Sequence, residues 1–209
     1  MKISKVYLYV FNTMSDWEYG HLITELNSGR YFRNGLDALN VITVGGSKEV
    51  VKTMGGLKII PDTAYDEYKL ERNDLLILPG GTNWNDQVHK PILERVGTAL
   101  DEGTIIAAIC GAVDALANNG YLNTRQHTSN NLEYTKMICP NYKGEEYFEM
   151  KSAVSDENLI TASGIAPLEF AREVLKKLDV FESDTLEAWY KLNKTHQAEY
   201  FYKLINSIS

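Results

Sequence analysis

Hydrophobic positions along the chain come in two rhythms. Short, almost wholly apolar runs recur: KVYLYVF (5–11), LNVITVGG (39–46), DLLILPGG (74–81) and TIIAAIC (104–110). All four read as strands, and DLLILPGG and TIIAAIC, almost wholly apolar, suit strands buried on both faces of a sheet. YFEMKSAV (147–154) and NLITAS (158–163) read as two more strands, and EVVKTMGGLKIIPD (49–62) reads as a hairpin turning at Gly55-Gly56. Between these runs the spacing changes to threes and fours. Helices are expected from Ser15 or Asp16 to about Asn27 with Gly29 as stop signal, over 90–102 with Pro91 in the first turn, and over 111–120, 130–138 and 166–178. A last helical stretch, 184–208, carries Leu186, Trp189, Leu192, His196 and Tyr200 on one stripe.

Strands that alternate with helices imply right-handed crossovers and a mostly parallel sheet with helices on both faces, an α/β fold. One domain over 1–183 is expected. The segment 184–209 is a helical extension, packed on the domain, on a partner subunit or over the site.

Composition narrows the partners. Twenty-one basic against 28 acidic residues give a net charge of −7, which leaves no basic stripe for nucleic acid or for an anionic membrane surface. The start of the chain reads as a strand rather than a signal peptide, no run is long enough to span a bilayer, and a cytoplasmic location is expected. Only Cys110 and Cys139 are present, so a structural disulfide is not expected. The four histidines are scattered, so neither a metal site nor another cofactor is expected.

Cys110 is the residue with chemistry to explain. It ends a buried strand, and Gly111 opens a helix immediately after it. A sharp strand-to-helix turn of this kind presents a nucleophile at the carboxyl edge of the sheet. The helix N-terminus favours the anion, so a thiol with a lowered pKa is expected. The plain alternative is a buried structural cysteine. The glycines of LPGG (78–81) leave backbone N–H groups free, and those of Gly81 and Gly111 are candidates for an oxyanion hole. Glu18 follows the first strand and is a candidate partner for the sulfur, titrating with it as a pair. His127 is the candidate general base. Cys139, in MICPNY, reads as structural.

Taken together, DWE with Glu18, DLLILPGG, AAICGA with Cys110, QHTSN with His127 and NLITASGIAPLEFA resemble the ThiJ/PfpI family of the class I glutamine amidotransferase-like superfamily. The resemblance covers roughly residues 3–180. It implies a flavodoxin-like three-layer sandwich, Cys110 as nucleophile, Glu18 as its carboxyl partner, Gly81 and Gly111 as oxyanion-hole amides, and His127 as the cleft histidine. It also implies a homodimer and a small-molecule substrate. Two departures stand out. Gly111 occupies the position where many members carry histidine, and no late His-x-Glu pair lies near SGIAP (163–167). The expected activity is a cysteine-dependent hydrolase or amidase acting on a small amide, peptide or carbonyl compound. The alternatives are a glyoxalase-like or oxidation-sensing stress protein, and a binding module without chemistry.

Overall fold

Four short runs, mostly Val, Leu, Ile and Ala with two tyrosines and one threonine, carry no polar face, so each strand they form must be covered on both sides. In the computed structural model, which describes residues 4–207, they are β1 (Val6–Tyr9), β6 (Leu75–Leu78), β7 (Ile105–Ile109) and β9 (Leu159–Ala162), buried throughout. With β2 (Val41–Gly45), β5 (Thr63–Ala64) and β8 (Ala153–Asp156) they make a seven-stranded sheet in the order β5-β2-β1-β6-β7-β9-β8. Every pairing is parallel except the hairpin of β8 with β9. The expected hairpin is a separate two-stranded sheet of β3 (Val51–Lys52) and β4 (Lys58–Ile59).

The helices are α1 (Gly20–Ser28), α2 (Lys90–Glu102), α3 (Gly111–Asn118), α4 (Leu132–Ile138), α5 (Pro167–Leu178), α6 (Ser183–Thr195) and α7 (Ala198–Asn206). One group is α1 on α5 and α5 on α6; in another, α2 and α3 pack against β7. This mostly parallel sheet with helices around it is a flavodoxin-like fold.

Three elements differ from the sequence reading. Residues 12–19 are turns and bends, and α1 starts only at Gly20. Strand β8 begins at Ala153, after a short 3₁₀ turn at Glu145–Tyr147. The single C-terminal helix is two helices, broken at His196, which takes a left-handed conformation at φ 58°. Histidine is among the residues that tolerate this region. Trp189 on α6 is buried, and its indole N–H donates to Glu25 Oε1 of α1 at 3.0 Å. The first half of the extension is thereby seated on the domain.

The sheet also fixes where the chemistry sits. Going out from β1, the chain first builds toward β2, then returns to build β6, β7 and β9 on the other side. The switch point lies between β1 and β6, and ligands of such sheets bind beyond the carboxyl ends of the strands there. The segments leaving that edge are 10–19, 79–82, 110–111 and 163–166.

Candidate active site

Cys110 is the last residue before α3. Its N–H still bonds Ala162 O of β9 at 3.0 Å, yet its backbone lies at φ 59°, ψ −129°. A non-glycine residue held there costs about 1–3 kcal/mol and persists only where the surroundings impose it. The strain turns a side chain that would have followed the strand out to the edge of the sheet. The thiol is half-buried.

Glycines make room for this turn. A Cβ at Gly111 would sit 3.1 Å from Gly81 O and 3.3 Å from the Trp84 ring. One at Gly80 would fall 2.7 Å from Cys110 Cβ and 2.7 Å from Glu18 Oε2, and one at Gly164 would fall 2.6 Å from the sulfur. Two strand-end segments, at Gly80 and Gly164, thus close on the Cys110 side chain at distances where an added Cβ would force a shift.

Glu18 enters from the loop after β1 and is fully buried. Its Oε2 accepts the Gly80 N–H at 2.5 Å, and the thiol of Cys110 and the hydroxyl of Ser15 lie beside the carboxyl. Burial pushes the carboxyl above its ordinary range, against the opposing pull of these hydrogen bonds. The thiol is also pushed up, first by burial and then by the Glu18 charge, while the Asn130 amide and the Gly111 N–H pull it down. The thiol is therefore raised, where the helix N-terminus predicts a lowered one: burial and the neighbouring carboxyl raise it by more than the Asn130 and Gly111 hydrogen bonds lower it. Two acids this close release their protons as a pair.

His127 stands elsewhere. It is fully buried, next to Phe148 and Tyr142. Its Nδ1 lies 2.7 Å from Arg125 O and its Nε2 2.8 Å from the Tyr142 hydroxyl. A carbonyl only accepts, so Nδ1 carries the proton and Nε2 accepts from Tyr142, leaving no nitrogen free to take a proton. Burial also depresses its pKa. None of these contacts reaches the sulfur.

The group that reaches Cys110 from this segment is Asn130, three residues further on, whose Nδ2 lies 3.4 Å from Sγ. Sequence reasoning passed over it because an amide does not titrate. It also passed over Gly80, Gly164 and Trp17, whose indole N–H donates to Gly164 O at 3.2 Å. The backbones that carry the two candidate oxyanion amides run close together, a Cβ at Gly111 being 3.8 Å from Gly81 N. Beside Asn130 and Ser163 opens a cleft of about 650 Å³, bordered further out by Met150, Ile165, Glu169 and Lys194. Among the described residues no three His, Cys, Asp or Glu side chains gather into a metal site, and no helix is long and apolar enough to cross a membrane. Cys139 is buried, with its thiol 3.2 Å from Asp114 O.

The pattern of the DJ-1/PfpI family matches residues 4–177. The chain belongs to this family. A Bacillus subtilis member named as the uncharacterized protease YoaZ is 64% identical over the full length of both chains. The glutathione-independent glyoxalase DJR-1.2 of Caenorhabditis elegans is 29% identical over 68% of this chain and 74% of its own. Among solved structures, a thiJ/pfpI family protein from Bacillus anthracis superposes with a TM-score of 0.98 at 69% identity, covering 99% of this chain and 98% of that one. DJ-1/PfpI relatives thus carry both protease and glyoxalase names, and neither specifies a substrate for this member.

Proposed function

We propose that this DJ-1/PfpI protein is a cysteine-dependent enzyme acting on a small carbonyl compound, with Cys110 as nucleophile, Glu18 as proton carrier and the Gly81 and Gly111 amides facing the developing oxyanion. One observation carries the reading: the ionisable side chain at the sulfur is a buried carboxyl, and the amide of Asn130 takes the place an imidazole base would need. Hydrolysis of an amide requires an acid for the leaving amine while a base activates water. A 2-oxoaldehyde makes smaller demands. The thiolate adds to the aldehyde carbon, forming a C–S bond as the carbonyl electrons move to oxygen. Glu18 then carries the proton from that carbon to the neighbouring one. The first carbon becomes a thioester while the second is reduced to an alcohol, whose oxygen takes the proton that the thiol gave up on forming the thiolate. Water cleaves the thioester, releasing a 2-hydroxy acid and the free thiol.

The hydrolase reading rests on the protease names of the relatives and takes the same nucleophile. A panel of 2-oxoaldehydes and small amides separates the two. Turnover of the aldehydes, lost in Cys110→Ser and Glu18→Ala but kept in His127→Ala, supports the proposal. Turnover of amides alone assigns the hydrolase, and no turnover of either, with Cys110 oxidising readily, assigns the sensor. We also propose a homodimer. The exposed Met54, Leu57 and Ile60 of the hairpin lie beside the loop carrying Asp16, whose carboxylate accepts the Gly55 N–H at 2.5 Å. Sedimentation of the intact chain tests this: a single monomeric species removes it.

A further inference from the structure

We propose that Asn130 is the positioning residue of the Cys110 thiol: one end of its amide holds the sulfur, the other holds the Gly164 peptide, and Trp17 pins that peptide from its carbonyl side. The proposal rests on Cys110 being the reacting group and extends that reading to the residues that aim it.

The amide's orientation is set by its partners. Gly164 N–H can only donate, and it lies 2.8 Å from the Asn130 oxygen; the Ser163 hydroxyl joins the same oxygen at 3.2 Å. Oδ1 must therefore face residues 163–164, which leaves Nδ2 and its hydrogens facing the sulfur at 3.4 Å. The Gly164 carbonyl receives the Trp17 indole N–H at 3.2 Å. This one glycine is thus held at both ends, by side chains from two different loops, and its Cα faces the thiol so closely that a Cβ would fall 2.6 Å from Sγ and 3.3 Å from Glu18 Oε1.

This arrangement acts on the thiol in two ways. A sulfur that accepts from Asn130 cannot aim its own hydrogen there, so the thiol proton is directed to the carboxyl on its other side. The pair Cys110–Glu18 gains a defined proton path without an imidazole. The Nδ2 donor also favours the thiolate over the thiol, because a hydrogen bond to an ionised acceptor is about twice as strong as one to a neutral group. Trp17, half-exposed at the mouth of the site, sits in the same loop as Glu18, so the clamp ties the carboxyl, the glycine and the sulfur into one unit.

Asn130→Asp separates positioning from mere packing. It keeps the oxygen that Gly164 and Ser163 need and replaces the donor at the sulfur with an anionic oxygen. The measurement is the rate of iodoacetamide alkylation of Cys110 against pH, with urea unfolding alongside. The expected result is parent-like unfolding and a midpoint moved up by about one unit or more, so that the rate at neutral pH falls at least tenfold while the high-pH plateau returns. Trp17→Phe keeps the ring but loses the N–H; it should lower the plateau rate and leave the midpoint in place. A parent-like midpoint in Asn130→Asp overturns the proposal. So does a parent-like midpoint in Asn130→Ala, which removes both ends of the amide. Because alkylation is read without turnover, the carbonyl reaction can fail its own panel while the clamp stands.

Discussion

Gly164→Ala adds one methyl group where the site has no room. The new Cβ would lie 2.6 Å from the sulfur, 2.8 Å from Cys110 Cβ and 3.3 Å from Glu18 Oε1. Carbon atoms pack best at about 3.5–4.0 Å, so the overlap at the sulfur is roughly 1 Å. Gly164 is not among the glycines with positive φ, so the alanine backbone is unstrained there and the methyl overlap acts alone. Either the thiol rotates away from Glu18 and Asn130, or residues 163–166 move and loosen the bonds to Asn130 and Trp17. Overpacking of this size costs about 1–3 kcal/mol of stability, and a displacement of 1 Å at a reacting atom costs on the order of a hundredfold in rate. Urea unfolding reads the first quantity, and alkylation of Cys110 at fixed pH reads the second. The variant should fold, with a lower midpoint and a thiol slowed far more than stability alone would suggest. A Gly164→Ala protein with parent stability and parent reactivity would refute the crowded geometry on which the site is built.

Other consequences can be checked in the same preparations. Trp189→Phe removes the indole donor to buried Glu25; it should cost about 1–3 kcal/mol in urea unfolding and leave Cys110 alkylation unchanged. His89 and His127 are both depressed by burial, so their stability is full above the ordinary histidine value of about 6.5 and is lost as pH falls through the folded values. Unfolding free energy should decline from pH 7 to 5, with a shallower slope in His127→Asn. Glu18 is raised by burial, so its contribution is full at low pH and is lost as pH rises through the folded value. Glu18→Gln should therefore gain stability relative to the parent at pH 8 compared with pH 4, by about 1.4 kcal/mol for each unit of displacement.

The central strands were legible because burial on both faces leaves them almost wholly apolar, Thr161 apart: β1, β6, β7 and β9 lie inside the expected runs. Cys110 was legible because it comes directly after such a strand, and Glu18 because it lies in the segment that leaves β1 at the same carboxyl edge, where sites of this fold form. What depended on three-dimensional convergence was not legible. His127 and Asn130 are three residues apart in a loop, and only the turn through Thr128 and Ser129 decides which of them faces the sulfur. Thr128 is tied by its N–H to Thr161 and by its hydroxyl to Lys151 O, contacts that no periodicity announces. The direction of the thiol's shift is hidden for a similar reason. The helix N-terminus is visible in sequence, whereas the desolvation that raises the thiol belongs to the packed site. The break at His196 left the helical pattern of 184–208 intact on both sides, so periodicity ran through it.

The pairing of Cys110 with Glu18 is tested most directly by the pH profile of Cys110 alkylation in the parent and in Glu18→Gln. If thiol and carboxyl titrate as one pair, the parent shows two apparent steps, and Glu18→Gln shows a single step with a lower midpoint, since the neighbouring charge is gone. The same single-step profile in both proteins would contradict the pairing and remove Glu18 from the chemistry.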